Sequence, residues 1–175
     1  MWDRNPQKDL FQGNFSTCCI GMGNTYGEYM IDYLTSTAFN MIEFVDNKTG
    51  QTVGNALCYL ADTDKGTAFI IDNVEINNNK ALSSNNGIEF RTALTKYAEN
   101  VSREINNEQV MPIYIGTTYN DIPDKDLKSI STKLKFIGTL SKPELYLDVF
   151  PDATGSNVDT WDLYRKKECK LYKLN

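Results

Sequence analysis

The sequence predicts an α+β domain: a central mixed sheet, mostly antiparallel, with one parallel β-α-β crossover and helices on both faces. Three observations predict it. The first is the stretch from Thr67 to Thr118. An apolar, β-branched run, Ala68 to Ile76, precedes a polar loop from Asn77 to Asn86. Gly87 then leads into Phe90, Leu94, Tyr97, Ala98, Val101 and Ile105, the stripe of an amphipathic helix, before a second strand-like run, Val110 to Gly116. Strand, helix, strand makes the two runs parallel neighbours. The second observation is a pair of strand runs, Phe39 to Val45 and Val53 to Leu60, around the turn-forming Asp46-Asn47-Lys48-Thr49-Gly50. The third is a second turn, Ala61 to Gly66, which returns the chain into the crossover and completes an antiparallel meander.

The other elements follow in order. Residues 1–17 read as an irregular arm that packs on the body through Trp2, Leu10 and Phe11. Thr17 to Met22 reads as a short strand, and Glu28 to Leu34 as a short helix with Met30, Tyr33 and Leu34 on one side. Beyond the crossover, Leu127, Ile130 and Leu134 predict a helix over Asp124 to Leu134, its start favoured by Asp124 and Asp126. Phe136–Leu140 and Glu144–Phe150 read as a hairpin around Ser141-Lys142-Pro143. Residues 151–160 read as a loop, followed by a strand at Cys169–Leu174. The economical division is one domain, residues 18–150, with the arm 1–17 and a C-terminal extension, 151–175, belonging to it.

At 175 residues and 41% hydrophobic content the chain can bury a core of its own. A formal charge of -5 argues against a nucleic-acid partner, whose phosphates need Lys and Arg, and suits a cationic amine substrate. The sequence shows no bilayer-length apolar run and no signal-peptide pattern, so a cytoplasmic protein without a membrane partner is expected. Histidine is absent, which excludes a Ser-His-Asp triad, a Cys-His pair and any His-ligated metal within this chain. Cys18, Cys19, Cys58 and Cys169 lack zinc spacing and read as reduced, partly buried thiols.

The order of elements, with Ile71-Asp72-Asn73-Val74-Glu75-Ile76 and Lys133-Leu134-Lys135-Phe136, resembles the GNAT acyltransferase fold over roughly residues 18 to 150. The first run is similar to the Ile-Glu-Asp-Val-Val-Val type of run that ends the family's fourth strand, and the second to the Lys-Leu-Gly-Phe that closes its last helix. The resemblance implies acetyl-CoA in a splay between the strand ending at Ile76 and the one starting near Val110. Backbone at Val74 and Ile76 would bond the pantetheine arm. Asn86, Gly87 and Ile88 would meet the pyrophosphate, and Asn120 with Tyr119 would line the site.

Two departures stand out. The family's pyrophosphate loop, Arg/Gln-x-x-Gly-x-Gly/Ala, is here Asn85-Asn86-Gly87-Ile88-Glu89-Phe90, with one glycine, no basic residue near Ser84 and a carboxylate at Glu89. Asn86 with Glu89 is also a capping-box pattern, which would use the same N–H groups that a phosphate needs. The family's proton-donating Tyr is replaced by Ser131, which either positions a water or is a polar residue on a solvated helix face. Tyr114 and Tyr119 are the other phenols available to stand in. Candidate bases for an amine are Asp72 and Glu75, which strand alternation places on opposite faces. Either could equally be a cross-strand polar partner or a rim residue. Two functions remain open: a CoA-dependent N-acyltransferase acting on a small-molecule or peptide amine, and a binding or regulatory module on the same fold without its cofactor site.

Overall fold

The computed structural model describes residues 5–16, 21–25, 27–72, 74–77, 85–116, 127–138, 144–145, 158–159 and 167–175. Its helices are α1 (Pro6–Asp9), α2 (Gln12–Phe15), α3 (Tyr29–Thr35) and α4 (Asn85–Ile105). Its strands are β1 (Phe39–Val45), β2 (Thr52–Thr63), β3 (Gly66–Ile71), β4 (Glu75–Ile76) and β5 (Ile113–Gly116), then β6 (Lys128–Phe136), β7 (Glu144–Leu145), β8 (Val158–Asp159) and β9 (Lys167–Lys173).

β2 is twelve residues long, and each of its edges serves two neighbours. Along one edge it pairs antiparallel with β1 and then, at Ala61 to Thr63, with β6. Along the other it pairs with β4 and then β3. β3 lies parallel to β5, from Phe69 opposite Ile113 to Ile71 opposite Ile115. β9 fits antiparallel between β5 and β6, so β2, β3, β5, β9 and β6 close into a ring, with β1 and β4 attached to β2 outside it. The expected mixed sheet, antiparallel apart from one crossover pair, is borne out. Its closure was not expected.

Alternation along the strands divides the core in two. Leu57, Tyr59, Ala61, Ala68, Ile70, Tyr114, Leu134, Cys169 and Leu171 share one face with Tyr29, Met30 and Tyr33 of α3. Ala56, Cys58, Phe69, Ile71, Ile113 and Ile115 share the other with Leu94, Ala98 and Val101 of α4. A 21-residue helix is roughly 31 Å long and cannot lie inside five strands, so α4 covers the outer face. On the inner face Ala61 sits directly opposite Ala68, a pair small enough for a tight ring.

Several expectations need correction. Residues 128–136 are a strand, not the end of a helix. Ile130, Thr132 and Leu134 alternate with Ser129, Ser131 and Lys133, and pairing with both β9 and β2 rewards the two-residue period over the helical one. Among the described residues the hairpin expected between Phe136–Leu140 and Glu144–Phe150 is not seen: Phe136 ends β6, and Glu144–Leu145 pairs with Val158–Asp159 in what had read as a loop. Residues 139–143 and 146–150 lie outside the described residues. Met22 is in a turn rather than a strand, while residues 17–20 lie outside the described set. The arm holds two single-turn helices. Leu10 packs on the inner cluster, Phe11 stays exposed, and Trp2 is outside the described residues. The C-terminal stretch contributes β9, an interior strand of the ring.

Turns make the closure possible. Asp64 and Lys65 alone join β2 to β3, with Gly66 at φ +100. The Asp64 N–H donates to Thr132 Oγ1 at 3.3 Å, and its carboxylate accepts the Lys133 N–H at 2.9 Å, tying the hairpin tip to β6. At the other end of that contact, Gly138 has φ +126, and a Cβ there would lie 2.8 Å from Ala38 Cα. Gly138→Ala is therefore expected to lower stability by about 1–3 kcal/mol in urea unfolding; unchanged stability would contradict this reading of the closure. In the β1–β2 turn, Asp46 accepts the Lys48 and Thr49 N–H groups, both at 2.8 Å, and these bonds hold its carboxyl below the usual range. A carboxylate depressed in the folded state adds stability above its unfolded value, about 3.9, and loses it as pH falls through the folded one. Asp46→Asn should flatten the acid limb of the stability–pH curve there, and an unchanged limb would count against the capping role.

Candidate functional site

The candidate site lies at the end of the β3–β5 pair. The described parallel pairing reaches Ile71 and Ile115, and the chain from β3 continues as β4 against β2. The register shows how. Ile71 is opposite Cys58, and the Asp72 N–H still donates to the Leu57 carbonyl at 2.8 Å, yet Glu75 is opposite Asn55. Three steps along one strand match two along β2, which is a β-bulge. Gly54 makes room for it: a Cβ at Gly54 would collide with the Glu75 carbonyl oxygen and lie 3.0 Å from Ile76 Cα.

The bulge overturns the expectation that Asp72 and Glu75 face opposite sides. Both now lie on the inner face with Leu57 and Asn55, while Val74 and Ile76 turn under α4 with the outer cluster. Asp72 is buried, and its carboxylate accepts the Tyr59 hydroxyl at 3.4 Å. Glu75 is partly buried and accepts the Ser16 hydroxyl at 3.4 Å, and Ser16 in turn accepts the Asn55 side-chain amide at 3.3 Å. Two bonded sets, Asp72 with Tyr59 and Glu75 with Ser16 and Asn55, thus lie on one face of the strand end. Asn55, Tyr59 and Ser16 were not expected. Asn55 carried a signal, since a polar residue inside the apolar run Val53 to Leu60 must find a buried partner.

The backbone has a direction here too. Asn77 donates to the Val53 carbonyl at 2.7 Å, so alternation turns the Ile76 N–H away from β2. α4 is described from Asn85, which places Asn86 within it; the Asn86 side chain, and with it the expected capping box, lies outside the described residues. Gly87 is buried in the first turn, whereas Ile88 and Glu89 are exposed. Ser131 is exposed on the strand opposite Lys170, on the outer face, and is not brought to the two carboxylates. Tyr114 is buried on the inner face, and burial pushes its hydroxyl above the usual range, making it a poorer proton donor. Asn120 and Tyr119 lie outside the described residues.

A groove of about 830 Å³ runs beside the site along β1, between α1 and α4. Of the expected residues whose side chains are described it includes only Ile76, with Ile42, Phe44, Phe90 and Tyr97 on its apolar side and Lys8, Asp9 and Glu43 on its polar side. Among the described residues no group of three or more Cys, Asp or Glu is placed to hold a metal ion, and no helix is long and apolar enough to cross a membrane. Cys58 and Cys169 are buried free thiols. Comparison with family models, curated proteins and solved structures finds no match.

Gly54→Ala should disturb the bulge first. A loss of about 1–3 kcal/mol is expected, with amide shifts in an ¹⁵N correlation spectrum concentrated at residues 53–55 and 74–77. Small shifts spread over the whole sheet would contradict the role given to Gly54.

Proposed function

We propose that this chain is an N-acyltransferase of the GNAT-like kind, using acetyl-CoA to acylate an amine. The observation that supports it best is the bulge, which turns two carboxylates to one face beside the end of the parallel strand pair. Acetyl-CoA, when bound, supplies an acyl group activated as a thioester. The pantetheine arm would lie along the backbone of Val74 to Ile76, beside the end of the parallel pair. Gly87 in the first turn of α4 suits a diphosphate at a helix N-terminus, and exposed Glu89 weakens that end by repulsion. Glu75, the more exposed carboxylate, removes the proton from the attacking amine. Asp72, buried beneath the Tyr59 hydroxyl, orients the strand end and adds negative potential.

A second reading, a binding or regulatory module without a cofactor site, is favoured by the burial of Asp72, the charge of Glu89 and the placement of Ser131 far from the carboxylates. Thermal-shift titration separates the two. Acetyl-CoA and CoA should raise the melting temperature progressively, the stabilisation reaching about 2.7 kcal/mol at a hundredfold excess over Kd; no shift at millimolar ligand selects the binding module. Glu89→Gly should tighten CoA binding several-fold, and unchanged or weaker binding would contradict the repulsion. Glu75→Gln should keep the acetyl-CoA shift but lower kcat by about 10²–10⁴, whereas undiminished turnover would remove Glu75 from the mechanism.

A further inference from the structure

We propose that the groove along β1 binds an extended peptide segment of a partner protein, which adds a strand to the edge of the sheet. The proposal stands apart from the acyltransferase reading, since it uses neither Asp72 nor Glu75.

The backbone of β1 carries it. On β2, Val53 accepts the Asn77 N–H and Leu57 accepts the Asp72 N–H, so these residues present their polar groups toward β4 and β3. Alternation gives Gly54, Ala56 and Cys58 to β1, and their partners Phe44, Ile42 and Asn40 turn toward β2 in return. Met41, Glu43 and Val45 therefore point their N–H and C=O groups the other way. The Asp46 N–H, bonded to the Gln51 carbonyl at 2.9 Å, keeps this alternation past the register shift at Phe44 and Val45. Asn40 caps the Met41 N–H with its side-chain oxygen at 2.8 Å, which makes Glu43 and Val45 the positions that offer both groups. Among the described residues β1 is the last strand on its side of the sheet, and the groove of about 830 Å³ is lined by every residue from Asn40 to Val45. Neighbouring residues of a strand face opposite sides, so a space that touches all six runs along the strand's edge. Such an edge is a template for another strand.

The walls select the occupant. α1 stands on one side of the edge, with Asn5 and Lys8, and α4 on the other, with Phe90, Leu94 and Tyr97. β1 thus lies at the bottom of the groove, and two copies of this chain cannot bring two recessed edges together. A lone strand of about five or six residues, roughly 17–20 Å long, fits along it. Its alternate side chains fall on the two walls. One wall is apolar, where Phe44 stands edge-on to Phe90 with ring centroids 4.8 Å apart. The other carries the Lys8–Glu43 ion pair at 2.6 Å. The matching sequence alternates apolar with polar residues, and the chain's formal charge of -5 favours basic over acidic ones at the polar positions.

The test titrates the full ¹⁵N-labelled chain with an N-acetylated, C-amidated Val-Lys-Val-Lys-Val-Lys peptide. Two further peptides carry backbone N-methyl groups, one on all valines and one on all lysines. The parent peptide should give saturable amide shifts over residues 41–45 and 90–97, and slow hydrogen exchange at Glu43 and Val45 several-fold. Only one alternate set of peptide N–H groups can face β1, so one methylated peptide should lose roughly tenfold or more in affinity while the other binds like the parent. Equal binding by both methylated peptides would overturn the proposal, as would shifts confined to α4 or none at millimolar peptide. A peptide-free chain that dimerises with Glu43 protected would also overturn it, in favour of a second copy at this edge.

Discussion

One additional residue between Asp72 and Glu75, relative to the opposite strand, sets the character of this molecule. Without it the β3 strand would run straight on, Glu75 would turn under α4 into an apolar cluster, and its charge would have to be paired or neutralised there. With it the apolar side chains of Val74 and Ile76 take that place, and Glu75 joins Asn55 and Ser16 on the polar side. The bulge depends on the missing side chain at Gly54, since the Glu75 carbonyl fills the space a Cβ would need. Packing on one face and polar pairing on the other thus select the same register.

The ring makes that strand end a fixed platform. β2 carries β1 and β6 along one edge and β4 and β3 along the other, so its residues are constrained from both sides. The Asp64 contacts with Thr132 and Lys133 close the ring at the hairpin tip. Asn175 adds to the β5–β9 seam by accepting the Ile113 N–H at 2.9 Å and donating to the Met111 carbonyl at 3.1 Å. Tyr59 stands edge-on to Phe39, which stands edge-on to Tyr33, so the phenol that meets Asp72 is held by aromatic packing from α3.

Much of the frame was legible in the sequence because its signals are local. The Asp46–Gly50 turn, the meander, the stripe Leu94, Ala98 and Val101, and the parallel pair β3 and β5 all follow from periodicity and turn chemistry. What failed were features decided by partners distant in sequence. Leu127, Ile130 and Leu134 satisfy a helical spacing, yet Ile130 and Leu134 also fit a strand, and pairing with β9 and β2, both distant in sequence, decides between them. The bulge is equally invisible from within Ile71 to Ile76: Gly54, on another strand, permits it, and strict alternation therefore sent Asp72 and Glu75 to opposite faces.

The shared face of Asp72 and Glu75 depends on the register of β4 against β2. Backbone NOEs from a uniformly ¹³C,¹⁵N-labelled sample measure it directly, by showing which residue faces Asn55. Cross-strand contacts linking Asn55 to Glu75 and Gly54 to Ile76 are predicted. Contacts linking Asn55 to Val74 would mean an unbroken ladder with Glu75 on the outer face, and the shared carboxylate site would be contradicted.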